Sequence, residues 1–142
     1  VWDRATGAPQ GSAVAADGAV THLGFALGGK LLVARTAGGS AGGWAVAAAG
    51  GLAPAPDPLR ALGTDVRCLV AAADGAAVYA GTAGGAVRRI GLADPGRSRA
   101  VQLHDGAVEA VAVSADGRWV AAATADGRVR RFDAELAPAG PA

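Results

Sequence analysis

Val108-Glu109-Ala110-Val111-Ala112-Val113-Ser114-Ala115-Asp116-Gly117-Arg118-Trp119-Val120-Ala121-Ala122-Ala123-Thr124-Ala125-Asp126-Gly127-Arg128-Val129-Arg130-Arg131-Phe132 decides the fold. Three short apolar runs stand in it: 108–113, 119–124 and 128–132. Asp116-Gly117 and Asp126-Gly127 separate them. Asp-Gly is a strong hairpin signal, because glycine takes a positive φ without steric cost. The stretch therefore predicts three antiparallel strands. A further strand fits Val101-Gln102-Leu103 just ahead of it, with counterparts expected at Ser12-Ala13-Val14 and Leu59-Arg60-Ala61.

The pattern recurs upstream. From Val66 to Ile90 about half of the positions are identical to the later copy, without a gap. Ala73-Asp74-Gly75 becomes Ala115-Asp116-Gly117, and Val87-Arg88-Arg89-Ile90 becomes Val129-Arg130-Arg131-Phe132. Ala34 and Thr36, Ala80 and Thr82, and Ala122 and Thr124 correspond, and Asp17-Gly18-Ala19-Val20 repeats as Asp105-Gly106-Ala107-Val108. A bulky residue closes each unit, at Trp2, Trp44, Ile90 and Phe132, in steps of 42, 46 and 42 residues. A period of roughly 40–45 residues is that of a four-stranded propeller blade. Helix is the rival, since alanine is the best helix former. It fails on spacing, because Asp-Gly or Gly-Gly interrupts the apolar runs before a 3.6-residue period can be sustained.

With Trp2-Asp3 and Phe132-Asp133 ending the first and last units, the chain resembles the WD-repeat (WD40) β-propeller family over nearly its whole length. The fold expected is all-β, with blades of four-stranded antiparallel sheets and about three repeats of a larger ring. The divisions are 1–10 for the end of a preceding blade, 11–46 for repeat one, 47–58 for a Pro/Gly/Ala-rich loop, 59–91 for repeat two, 92–133 for repeat three and 134–142 for a linker or tail. Pro54, Pro56 and Pro58 keep the loop from being a central strand, since proline lacks an amide donor. The absence of methionine and an opening that reads as a strand end point to a segment of something longer.

The resemblance also implies a network inside each blade that joins His, Ser/Thr, Asp and Trp. The matching positions are His104, Thr124 and Asp126, with Phe132 where Trp is usual. Phenylalanine has no indole donor, so the last link is expected to be missing. Earlier units carry Leu62 and Ala16 in place of the histidine, and Gly84 and Gly38 in place of the aspartate. Losing both partners together avoids an orphaned buried charge. A His–Asp–Thr set also invites a catalytic triad, but its spacing is that of the structural network. A triad further needs an exposed nucleophile beside an oxyanion site.

Composition narrows the remainder. Hydrophobic residues are 51% of the chain but aromatics only 4%, so alanine forms much of a thin core suited to closely packed layers. A formal net charge of +1 without charge blocks gives no electrostatic case for nucleic acid or an anionic membrane. One cysteine, Cys68, excludes an internal disulfide and a Cys-pair zinc site, and fits a reducing, intracellular compartment, cytoplasmic or nuclear. No apolar run is long enough to span a bilayer. Cys68 and His22 occupy equivalent inner-strand places and are too few for a metal site, so neither a metal nor another cofactor is expected. The Gly38-Gly39 and Gly84-Gly85 pairs read as hairpin turns, since no phosphate-loop lysine follows them. Arg88-Arg89 and Arg130-Arg131 read as solvated or blade-edge residues, and the arginine motif of phosphoinositide-binding propellers is absent around them.

The function that follows is non-catalytic protein–protein interaction, as part of a scaffold in a multiprotein complex. Nucleic acid would be reached only through that complex. The resemblance places partner contacts where the chain enters the innermost strands: Thr21, Arg67 and Glu109, with Asp65 nearby. Its partners would include other proteins and the remaining blades of its own propeller. The alternatives are a propeller-fold enzyme, hydrolase or quinoprotein-like, and a phosphoinositide-binding propeller.

Overall fold

The computed structural model describes residues 1–54, 59, 62–104 and 106–139. Eleven strands among them form three antiparallel sheets. The first runs in order through β1 (Val20–Ala26), β2 (Leu31–Thr36), β3 (Ala41–Val46) and β4 (Leu52–Pro54). The second holds β5 (Val66–Ala71), β6 (Ala77–Thr82), β7 (Ala86–Gly91) and β8 (Arg99–Gln102). The third holds β9 (Val108–Val113), β10 (Trp119–Thr124) and β11 (Val129–Asp133). Each sheet is a meander of neighbours joined by tight turns, which is the form of a propeller blade.

Side-chain alternation along the strands explains how the blades stack. In β6, Val78 and Ala80 enter a core shared with Val33, Leu62 and Val66, while Tyr79 enters a second core with Val108, Val120 and Phe132. All six residues of β6 are buried, because a blade lies against each of its faces. The aromatic-poor composition suits this spacing. A methyl group at Gly81 would fall inside the contact distance of Val108 and 2.7 Å from the Cys68 sulfur, so blade three approaches blade two as closely as glycine permits.

Three expectations are corrected. The stretch 47–58 is not loop throughout, since Leu52–Pro54 is β4, paired as Trp44 with Pro54 and Val46 with Leu52. Proline is tolerated there because β4 is the edge of its sheet, where one side of the strand needs no donors. Consequently the outer strand does not begin at Leu59, which sits in a helical turn and is anchored in the first core. Arg60, Ala61 and residues 55–58 lie outside the described residues. Ser12-Ala13-Val14 forms no strand.

The segment after residue 133 is not a free tail. Ala139 N–H donates to the Arg131 carbonyl at 3.1 Å, and Asp133 N–H to Ala137 at 3.0 Å. Leu136 is buried in the second core, and the Tyr79 hydroxyl donates to the Ala134 carbonyl at 2.6 Å. The expected tail thus packs onto blade two through residues 134–136 and against β11 of blade three through residues 137–139; its last three residues lie outside the described set.

Candidate functional site

β1, β5 and β9 each begin a sheet and are the innermost strands. Each carries a one-residue bulge at its start. Val20 pairs with Thr36 and His22 with Arg35, so Thr21 is the extra residue. Val66 pairs with Thr82 and Cys68 with Gly81, leaving Arg67. Val108 pairs with Thr124 and Ala110 with Ala123, leaving Glu109. A bulge frees one residue from the ladder and redirects its side chain. Thr21, Arg67 and Glu109 therefore occupy the same bulged position on three successive blades, and all three are exposed.

Hydrogen bonds tie this row across the blades. Arg67 Nε and Nη2 donate to Glu109 Oε2 at 3.1 and 3.0 Å, linking blades two and three. Arg35 Nη1 donates to Thr21 Oγ1 at 2.8 Å, and Arg35 Nε to the Val66 carbonyl at 2.6 Å, linking blades one and two. Asp65, half-buried behind the row, accepts from Arg88 Nη1 at 3.0 Å, and the same nitrogen donates to the Leu62 carbonyl. Below the rim the Cys68 thiol donates to the Val108 carbonyl at 3.7 Å, and burial pushes its pKa up. The arrangement offers a rigid polar surface of both signs. Among the described residues no three potential metal ligands cluster.

The proposed blade network is only partly assembled. Thr124 Oγ1 donates to Asp126 Oδ1 at 2.6 Å, and Asp126 also pairs with the Arg128 guanidinium at 3.0 Å. Phe132 is buried in the second core. His104 is not joined to them: it is exposed, at a left-handed φ of 62°, and hydrogen bonds to no described residue. Thr124 and Arg128 serve Asp126 without the imidazole. Asp105, next to His104, lies outside the described residues.

Arg89, expected as a solvated or blade-edge residue, is buried. Its Nη1 donates to the Arg97 carbonyl at 2.6 Å, and its Nη2 pairs with Glu135 at 3.5 Å. Glu135 also meets Arg97 and Arg99, which fastens the post-blade segment to blade two. Neither this cluster nor the bulges has a sequence signature beyond the recurrence of Val20, Val66 and Val108, each followed by a polar residue. Arg131 lies over the Trp119 ring, 4.5 Å from its centroid.

The meandering blades and their stacking define a β-propeller section. Residues 97–133 match the family model described as WD domain, G-beta repeat. Two structures of Sqt1 from Chaetomium thermophilum superpose with TM-scores of 0.63, at 20% and 21% identity. Each alignment covers 84% of this chain and 34% of the other, so the chain spans about a third of the length of those relatives. A structure of the RRP9 WD40 repeats aligns over 54% of this chain and 25% of its own, at 18% identity and a TM-score of 0.49. No curated protein matches the sequence.

Proposed function

We propose that the chain is a section of a WD-repeat propeller that acts as a non-catalytic protein-interaction scaffold in a multiprotein assembly. The observation that carries this is the repeated bulge, which sets Thr21, Arg67 and Glu109 in one row, with Asp65 behind them. A side chain released from the ladder at the same position in every blade is free to meet a partner, while the surrounding sheet keeps it in place. The Arg67–Glu109 pair gives the row both signs of charge, which suits a polar, mixed-charge protein surface better than an anionic polymer.

The paired arginines support the same choice over a lipid-headgroup clamp, because they are engaged within the fold. Arg88 serves Leu62 and Asp65, Arg89 serves Arg97 and Glu135, and Arg131 covers Trp119. Propellers close with about four to eight blades, so the blades that complete the ring belong to the remainder of the polypeptide or to another subunit. Residues 1–10 fit the end of the preceding blade: the Trp2–Pro9 bridge and the Asp3-capped turn repeat the Phe132–Pro138 bridge and the Asp133-capped turn. An intracellular site of action, cytoplasmic or nuclear, goes with this role.

The test is affinity purification of the full-length protein at moderate salt, with mass spectrometry of what is retained. Reproducible partners in stoichiometric amounts are expected. A clean monomer would sink the proposal and turn attention to metals and small-molecule turnover.

A further inference from the structure

Three non-glycine residues among those described have a left-handed backbone: Leu27 at φ 51°, His104 at φ 62° and Leu136 at φ 63°. A side chain on such a backbone crowds the following carbonyl, a strain that glycine escapes. The two leucines offset it by packing. Leu27 lies against the first core, and Leu136 is buried in the second. His104 has no such compensation. Its side chain is exposed and makes no hydrogen bond, ion pair or ring contact with a described residue.

Blade two shows what the fold itself asks for at this place. Leu62 and Leu103 are core residues on the approach to β5 and β9, and a left-handed residue follows each of them directly. In blade two it is Gly63, at φ 78°; in blade three it is His104. The blades on both sides of the loop 104–107 belong to this chain, so the exposure of His104 does not come from a blade outside it. A methyl group at Gly85 of blade two would lie 2.6 Å from the Gly106 oxygen, and Ala125 N–H of blade three donates to the Ala107 carbonyl at 2.8 Å. The loop joins β8 to β9, which sets His104 at the same end of the blades as Arg67 and Glu109.

We propose that His104 is a contact residue of the partner-binding face, and that its imidazole N–H donates to an acceptor oxygen of a partner protein. Uncompensated backbone strain is stored where a side chain is used outside its own fold. The ring suits that use, since one nitrogen donates while the flat face adds contact area. The assignment rests on the scaffold function proposed above and adds to the bulged row a residue that lies outside it.

The test compares folding and binding in His104→Gly and His104→Asn, made in the full-length protein. Glycine takes the left-handed turn freely and asparagine tolerates it, so neither variant should unfold. His104→Gly should raise the urea midpoint above that of the parent. Recovery of at least one partner in affinity purification should nevertheless fall about tenfold in both variants. The His104 ring resonances of the parent, assigned by their loss in His104→Gly, should move when that partner is added. A lower urea midpoint in His104→Gly would overturn the proposal, because the ring would then be serving the fold. So would undiminished recovery of every partner, or ring resonances that stay in place as the partner binds. Partners kept equally by parent and variants would leave the scaffold function standing without His104. A parent that retains no partner would remove the scaffold function and this assignment with it.

Discussion

Blades one and two have the same strand order, yet they are buried differently. β6 of blade two is covered on both faces, whereas β1 of blade one leaves Leu23 64% and Phe25 54% exposed. The positions corresponding to these two in blade two, Leu69 and Ala71, pack against the first core. The difference lies in what stands beside each blade: blade two has a neighbour on each side, and blade one has a described neighbour on one side only. A blade has no private core, so its stability is shared with its neighbours. Side chains follow the same division. Blade two is laced by Arg88, Arg89 and Tyr79, while blade one carries Gly42 and Gly43 where the two arginines stand.

That contrast can be broken at several points. The largest effect is expected for Tyr79→Ala, which empties a fully packed site between blades two and three. Truncating a buried aromatic costs about 3–5 kcal/mol, read from urea unfolding of the full chain. Gly81→Ala comes next, at about 1–3 kcal/mol, because the added methyl collides with Val108 and the Cys68 sulfur. Gly42→Ala in blade one should cost no more than a few tenths of that, since the space beside it is open; equal losses at the two glycines would show that the blades are packed alike. Tyr79→Phe keeps the ring and loses the hydroxyl's bond to Ala134 and its contact with Arg89, for about 1 kcal/mol. The smallest effect belongs to Arg67→Ala. Its pair with Glu109 is nearly half exposed on both sides, so the change is about 0–1 kcal/mol and shrinks in high salt.

The Cys68 thiol gives a pH-dependent check on the same interface. Burial raises its pKa, so the native thiol stays protonated where an exposed cysteine begins to ionise. Alkylation near pH 8 should be much slower in the native protein than in denaturant. The sign for stability follows: the unfolded chain loses this proton first, so this contribution to stability falls as pH rises above the ordinary thiol range. Rapid native alkylation would mean that blades two and three separate readily.

The blades were legible in the sequence because their period, Asp-Gly turns and closing residues at Trp44, Ile90 and Phe132 are local features. Leu52–Pro54 was missed because Pro54 argues against a strand in general, and only its edge position reverses that argument. The segment 134–139 looked like a linker because alanine and proline dominate it; Glu135 and Leu136 gain their meaning from arginines and apolar groups of the previous blade. His104 matched a family position, but its placement outside the Thr124–Asp126 pair depends on backbone conformation that spacing does not encode. The rim residues were chosen by their place before each inner strand. The bulge that sets them apart from the ladder is a property of strand register, which a one-dimensional pattern leaves open.

The most direct test of the rim exchanges its charges without removing the ion pair. In the double variant Arg67→Glu/Glu109→Arg the pair re-forms in the opposite sense, so folding stability should stay within about 0.5 kcal/mol of the parent. Partner recovery in affinity purification should nevertheless fall at least about tenfold, roughly 1.4 kcal/mol of binding, because a partner meets each charge where its opposite should be. Full recovery of every partner by the folded double variant would contradict the assignment and reduce Arg67 and Glu109 to a link between blades.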